Sequence, residues 1–163
     1  MAAAWHFIHR TLPGQDALMV MEPGLTIHNV RYVKNVAGQT VWILEADSAQ
    51  KDEATGSITG QGIRITFFKA GAPRYFLHAD HGRAEIKAGL FKVWGNVVLE
   101  TEDRTERLLT DELDYDENKE LILTDRAVRF WTDEIRGSGK GLIYYLREGK
   151  LILRQEIKME VES

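Results

Sequence analysis

The chain contains no cysteine, which excludes disulfides, thiolate metal sites and cysteine nucleophiles. It has three prolines, Pro13, Pro23 and Pro73, all outside the interiors of the segments that read as strands, as the ladder hydrogen bonds of a sheet require. No apolar run approaches the ~20 residues that span a bilayer as a helix. Lys and Arg form no block, and the net charge is −4, so no footprint for nucleic acid is present. What the chain does have is 163 residues at 44% hydrophobic content. That is enough for one folded domain burying roughly two thirds of its unfolded surface.

One short pattern recurs. Leu44-Glu45-Ala46-Asp47, Leu77-His78-Ala79-Asp80 and Leu108-Leu109-Thr110-Asp111 are spaced roughly thirty residues apart. After each comes a polar stretch, then a second apolar segment: Ile58 to Phe67, Leu90 to Leu99 or Leu121 to Phe130. The unit is strand, turn, strand. Alternation decides against helical repeats of similar period. Ile63, Ile65 and Phe67 oppose Arg64 and Thr66, and Phe91, Val93, Val97 and Leu99 oppose Lys92 and Asn96. Leu151, Leu153, Ile157, Met159 and Val161 oppose Arg154, Glu156, Lys158 and Glu160, which reads as a half-buried strand. Turns are expected at 70–73, 116–119 and 147–150. The fold class is therefore all-β, an elongated, twisted antiparallel jelly roll or sandwich built from repeated hairpins, each lining one common interior.

Several motifs imitate chemistry and fail on geometry. Asp114-x-Asp116-x-Asn118 with Asp125 resembles a calcium loop, but Lys119 stands where the loop needs glycine, between strands instead of helices. Gly137-Ser138-Gly139-Lys140-Gly141 lacks the spacing and the following helix of a phosphate loop; its glycines suit a bulge or bend. His78, Asp80 and His81 lie far in sequence from His6, His9 and His28, so no zinc set converges. No nucleophilic triad is recognisable. Neither catalysis, a metal nor a cofactor is expected, and the informative feature is the interior, which is either a closed core or an open apolar groove.

The segment 95–145 carries G-N-V, then L-x-T-D-x-L-x-Y-D, an aliphatic strand, and I-x-G-x-G-L-x-Y. It resembles the OstA-like domain of lipopolysaccharide transport proteins. Upstream, "VRYVKNVAGQTVWILEADSAQ" (30–50) and "PRYFLHADHGRA" (73–84) are similar to the LptC branch in particular. The resemblance covers about residues 25 to 160. It implies an open, twisted β jelly roll in the periplasm, tethered to the inner membrane by one N-terminal helix. It implies lipopolysaccharide received from the transporter complex LptB, LptF and LptG and passed to the bridge protein LptA, with ATP hydrolysis left to the transporter.

On this reading residues 25–163 form the jelly-roll domain. Residues 1–24 form an N-terminal segment, in which Ala2 to Arg10 is either a frayed or appended terminus or the last turns of a membrane anchor. Shared parity together with the resemblance assigns acyl-chain contact to Trp42, Leu44, Ile63, Ile65, Phe67, Leu77, Val93, Val97, Leu99, Leu113, Val128, Phe130, Leu142, Leu151 and Leu153. Partner docking falls to Gly141 and to Ile157 and Met159 on the last strand, whose free edge also allows an edge-to-edge homo-oligomer. The competing reading is an assembly protein with a filled core, docking partners by edge-strand addition without carrying lipid.

Overall fold

A computed structural model describes residues 22–161. Residues 1–21, on which the anchor reading falls, lie outside the described residues. Nine strands follow one another: β1 (Thr26–Val36), β2 (Gln39–Lys51), β3 (Ile58–Lys69), β4 (Ala72–Glu85), β5 (Leu90–Thr101), β6 (Arg107–Asp116), β7 (Leu121–Trp131), β8 (Ile135–Tyr145) and β9 (Lys150–Val161). A three-residue 3₁₀ turn, Ile86–Ala88, precedes β5. Every strand pairs antiparallel with its neighbour in sequence, in the order β1 to β9, so among the described residues β1 and β9 are the two edges.

The turns follow from their residues. Ala37-Gly38 and Ala70-Gly71 both hold positive φ at both positions, the two-residue hairpin turn whose twist matches that of its strands. Elsewhere an aspartate organises the loop. Asp52 accepts the amides of Ala54 and Thr55, Asp103 that of Thr105, and Asp116 that of Lys119, each an Asx-type turn. Asp116 and Asn118, two members of the calcium-like pattern, thus serve the hairpin, Asn118 donating to the Ala88 carbonyl.

The recurring leucine-to-aspartate pattern marks a bend in the middle of β2, β4 and β6. Its small residue points inward, with Ala46, Ala79 and Thr110 all buried, and its aspartate points out. The next strand comes close at that point. A Cβ on Gly62 would collide with the Asp47 carboxylate, and one on Gly95 would lie 2.9 Å from Asp80 Cβ. Asn96 Nδ2 donates to Asp80 (2.7 Å) and Thr110 Oγ1 to the Ala127 carbonyl (2.9 Å). Registers slip in this zone, between His78 and His81, Trp94 and Val97, Thr110 and Asp114, Thr124 and Ala127, and Ser138 and Lys140. Bulges of this kind bend strands and add twist.

Bent strands let one sheet fold onto itself. The two layers are not separate sheets, as a sandwich would have: hydrogen bonding is continuous from β1 to β9. Across the fold, Trp42 of β2 meets Phe91 of β5 (ring centroids 5.6 Å) and Phe67 of β3 meets Tyr115 of β6 (5.5 Å). Tyr75 of β4 meets Tyr144 of β8 (5.7 Å). Facing strands are thus offset by three or four positions. The core fills the overlap, with Val97, Leu113, Ile122, Val128 and Leu142 its most deeply buried large side chains.

The offset has a consequence at β9. No later strand exists among the described residues to face its second half, and Ile157, Met159 and Val161 stand 49%, 57% and 74% exposed. The strand lies at the edge, as expected, but it is exposed over most of its length instead of half-buried, with a bare apolar row.

Candidate functional site

Of the fifteen residues assigned to the interior, eleven are buried: Trp42, Ile63, Ile65, Phe67, Leu77, Val93, Val97, Leu99, Leu113, Val128 and Leu142. Leu44, Phe130 and Leu153 are half-buried, and Leu151 is exposed at the rim. Parity within each strand thus identified side chains of one hydrophobic cluster, with Leu44 and Leu153 packed against it.

The lining is unevenly filled. Toward the N-terminal end, Val30, Ala46, Ile58, Ile63, Phe91 and Val93 enclose only about 30 Å³, room for one or two waters. Gly60 and Gly82 narrow the interior here, since Ile63 Cδ1 and Cγ1 already approach to 3.0 Å of where their Cβ atoms would stand. Toward the C-terminal end the space widens to about 210 Å³ between Tyr75, Leu99, Leu108, Phe130, Leu142, Tyr144 and Leu151, with Glu100, Thr101, Glu106, Arg107 and Thr132 also lining it. That exceeds the ~150 Å³ of an apolar cavity able to take benzene. The offset of the layers explains the asymmetry: late strands lack an opposing layer, so the interior opens beside β8 and β9.

The long seam between the layers is held at several points. Lys34 Nζ lies 3.2 Å from Glu117 Oε1, a bond from β1 to the β6–β7 turn. Tyr75 and Tyr144 share a hydroxyl–hydroxyl hydrogen bond. Burial raises the Tyr144 pKa, and the Tyr75 hydroxyl adds to it, so the phenol stays protonated and able to donate. Burial likewise raises the pKa of Tyr115. A second space of about 250 Å³ opens on this seam between Val41, Phe67, Tyr75, Tyr115 and Leu146, with Lys69, Arg74, Glu120 and Arg147 also lining it.

The set assigned to acyl-chain contact left out Phe91, although it shares a face with Val93, Val97 and Leu99, and also left out Leu108, Ile122, Tyr75, Tyr115 and Tyr144. Leu108 and Ile122 sit in alternating runs and were legible there. The tyrosines were not, because a polar tip on an apolar body does not declare which way it faces.

On the partner-docking residues, Ile157 and Met159 lie together on the β9 edge strand. Gly141 lies elsewhere, buried in β8 at φ 83° with the Arg154 stem over it. One of these histidines is engaged locally: His81 Nδ1 bonds Gln61 Oε1 and its ring stacks on Trp94. Among the described residues no group of three His, Asp or Glu side chains is arranged to hold a metal ion. None of their helices is long and apolar enough to cross a membrane.

Among solved structures the chain resembles LptH of Pseudomonas aeruginosa, described as the LptA-homologous periplasmic component of the conserved lipopolysaccharide transport device. The TM-score is 0.58 at 11% identity, covering 75% of this chain and 95% of that one. At that identity the likeness speaks for the fold alone. No curated protein matches the chain. The family profile described as "Lipopolysaccharide-assembly, LptC-related" matches residues 2–162, nearly the whole sequence, and the chain therefore belongs to the LptC-related lipopolysaccharide-assembly family.

Proposed function

We propose that this protein is a periplasmic lipid carrier of the lipopolysaccharide export machinery. Acyl chains enter its apolar interior from an inner-membrane transporter of the LptB-LptF-LptG kind and leave toward an LptA-like bridge. The observation that carries the reading is the coincidence of the widened apolar space with the open C-terminal edge. The ~210 Å³ mouth, Leu151 at its rim and the bare row Ile157-Met159-Val161 lie on adjoining strands. An insoluble cargo has to pass between proteins without meeting water. Exposed alkyl surface costs ~25 cal/mol per Å², so a junction that continues the groove is the economical one. Extension of the sheet by a partner strand at β9 supplies it. A membrane tether through the N-terminal segment belongs to the same proposal.

A second reading is favoured by the filled mid-section: Val97, Leu113, Ile122, Val128 and Leu142 are almost wholly enclosed. On it, the protein docks partners by its edges and carries no lipid. Photo-reactive residues decide between the two. Substituted at Phe130 or Val97, they crosslink to lipopolysaccharide on the carrier reading, whereas substitutions at the outward Lys92 and Arg129 do not. Equal labelling of both faces, or none at Phe130, favours the assembly reading.

A further inference from the structure

We propose that the indole N–H of Trp42 is a hydrogen-bond donor for the carbonyl oxygen of an acyl ester or amide in the cargo. This rests on the carrier reading and adds to it one polar contact inside an otherwise apolar lining.

Trp42 is 4% exposed, yet its Nε1 has no acceptor among the described residues. A buried donor left without a partner is uncommon and costs stability. Packing alone does not call for it. The ring lies against Tyr32 (centroids 5.2 Å) and edge to face with Phe91 (5.6 Å). A phenyl ring would serve both contacts without bringing a donor into the core.

The place of the ring in the fold identifies the acceptor. Trp42 is paired across the ladder with Lys34 of β1 and Phe67 of β3, and directly opposed side chains share one face of a sheet. Lys34 reaches over the seam to Glu117, both side chains about one third exposed. Phe67 lines the seam pocket, and Phe91 lines the interior. Trp42 therefore stands one row inside the seam, between water and the alkyl lining. In an acylated cargo the carbonyls lie at that same level, where the chains end and the polar part begins. An anionic group would have to shed its water beside a neutral donor among aromatic rings, which is far too costly. A bare hydrocarbon offers no acceptor. The neutral carbonyl of an acyl linkage meets both conditions.

The test uses the full chain with its indole nitrogens labelled for NMR and two probes of matched length, methyl decanoate and dodecane. The Trp42 resonance is the one missing from Trp42→Phe. Methyl decanoate should move that indole proton downfield and slow its exchange with water, and dodecane should do neither. In competition against a fluorescent acyl probe, the preference for ester over alkane should fall about fivefold in Trp42→Phe, equivalent to about 1 kcal/mol. Should Trp42→Phe fail to fold, Trp5→Phe, Trp94→Phe and Trp131→Phe assign the resonance by elimination, and its shift alone decides. Three results overturn the donor role and leave the carrier reading standing: equal shifts with both probes, a hydrogen-bonded resonance already present without ligand, or an unchanged preference in Trp42→Phe. If the acyl probe does not bind the parent at all, both fall.

Discussion

Tyr75 and Tyr144, on strands β4 and β8, meet edge to face across the folded sheet and share a hydroxyl–hydroxyl hydrogen bond. The two layers at that point have no backbone pairing to hold them, because hydrogen bonding runs only between sequence neighbours. Side chains alone set how far the seam stands open there.

Removing one hydroxyl should therefore cost more than its exposed area suggests. Tyr75→Phe and Tyr144→Phe are each expected to lower stability by about 1 kcal/mol. The double variant should lose little more than either single one, giving a coupling of about 1 kcal/mol in a double-mutant cycle. Additive losses in urea unfolding would show that the two hydroxyls act independently. The Phe variants should also admit an acyl probe faster, since the seam has lost a tie.

Three glycines of β8 offer a graded test of the bend. A Cβ at Gly137 would lie 2.6 Å from both the Lys158 carbonyl and Phe130 Cζ. Backbone cannot retreat cheaply, so Gly137→Ala is expected to cost about 1–3 kcal/mol, as overpacking does. At Gly139 the nearest atoms stand at 3.4 Å and beyond, and alanine should be tolerated. Gly141 has φ 83°, so alanine there is strained by about 1–2 kcal/mol whatever the space, and Gly141→Arg must also displace Arg154. Thermal melts should rank Gly139→Ala as the mildest; any other order places the strain elsewhere.

Much of this architecture was legible in sequence, and the boundary of what was legible has a physical cause. Strict alternation in Ile63, Ile65 and Phe67 identifies a strand and its inner face, and all three are buried. The same alternation in Ile157, Met159 and Val161 identifies a face, yet nothing covers it. Period tells which residues share a side, not whether another layer lies over that side. That depends on the mid-strand bends, which set the offset between layers. The leucine-to-aspartate pattern marked those bends, but its meaning came only from the strand opposite: Gly62 against Asp47, Gly95 against Asp80. A related copy, Leu123-Thr124-Asp125 on β7, passed unnoticed because it falls on the second strand of a hairpin and breaks the thirty-residue spacing. The seam pocket was missed for a similar reason, since Arg147 joins Lys69 and Arg74 of the β3–β4 hairpin only when the sheet folds.

Acid should weaken the β5–β6 turn in a defined direction. The Asp103 carboxyl is held below its ordinary range, chiefly by the Thr101 hydroxyl (2.7 Å), then by the Thr105 amide and hydroxyl. A carboxylate with a depressed folded pKa lends stability that is fully present above its unfolded pKa and is lost as pH falls through the folded one. Asp103→Asn should thus melt below the parent at pH 7 and together with it once pH drops well below the usual carboxylate range. Asp114 works in the opposite sense, because burial raises its pKa despite Lys92 beside it. Its protonation stabilises the fold as pH falls, so Asp114→Asn should gain relative to the parent at neutral pH. Melting curves of both variants across pH 3–8 check the two signs separately.

The final prediction concerns the free edge. β9 pairs with β8 on one side only, and its exposed apolar row would ordinarily invite indiscriminate pairing. Charges interleave with the row: Arg154 bonds Asp125 (3.4 Å) and Glu160 pairs with Arg136 (3.0 Å). Such charges would disfavour indiscriminate pairing while leaving Ile157 and Met159 exposed. Proline at 157 would be a poor probe, because Glu156 holds φ 52° and the residue before a proline is driven toward extended geometry. Fold and docking would then fail together. Ile157→Asp and Met159→Asp are cleaner, since both side chains are about half exposed and neither belongs to the enclosed core. Each should leave the melting temperature within about 1–2 °C of the parent, as surface substitutions usually do. Each should weaken capture of an LptA-like bridge protein at least tenfold, because a carboxylate would have to be buried at the new strand junction. Should either variant bind the bridge as well as the parent does, while the crosslink at Phe130 persists, the cargo leaves by another edge, and β1 becomes the one to test.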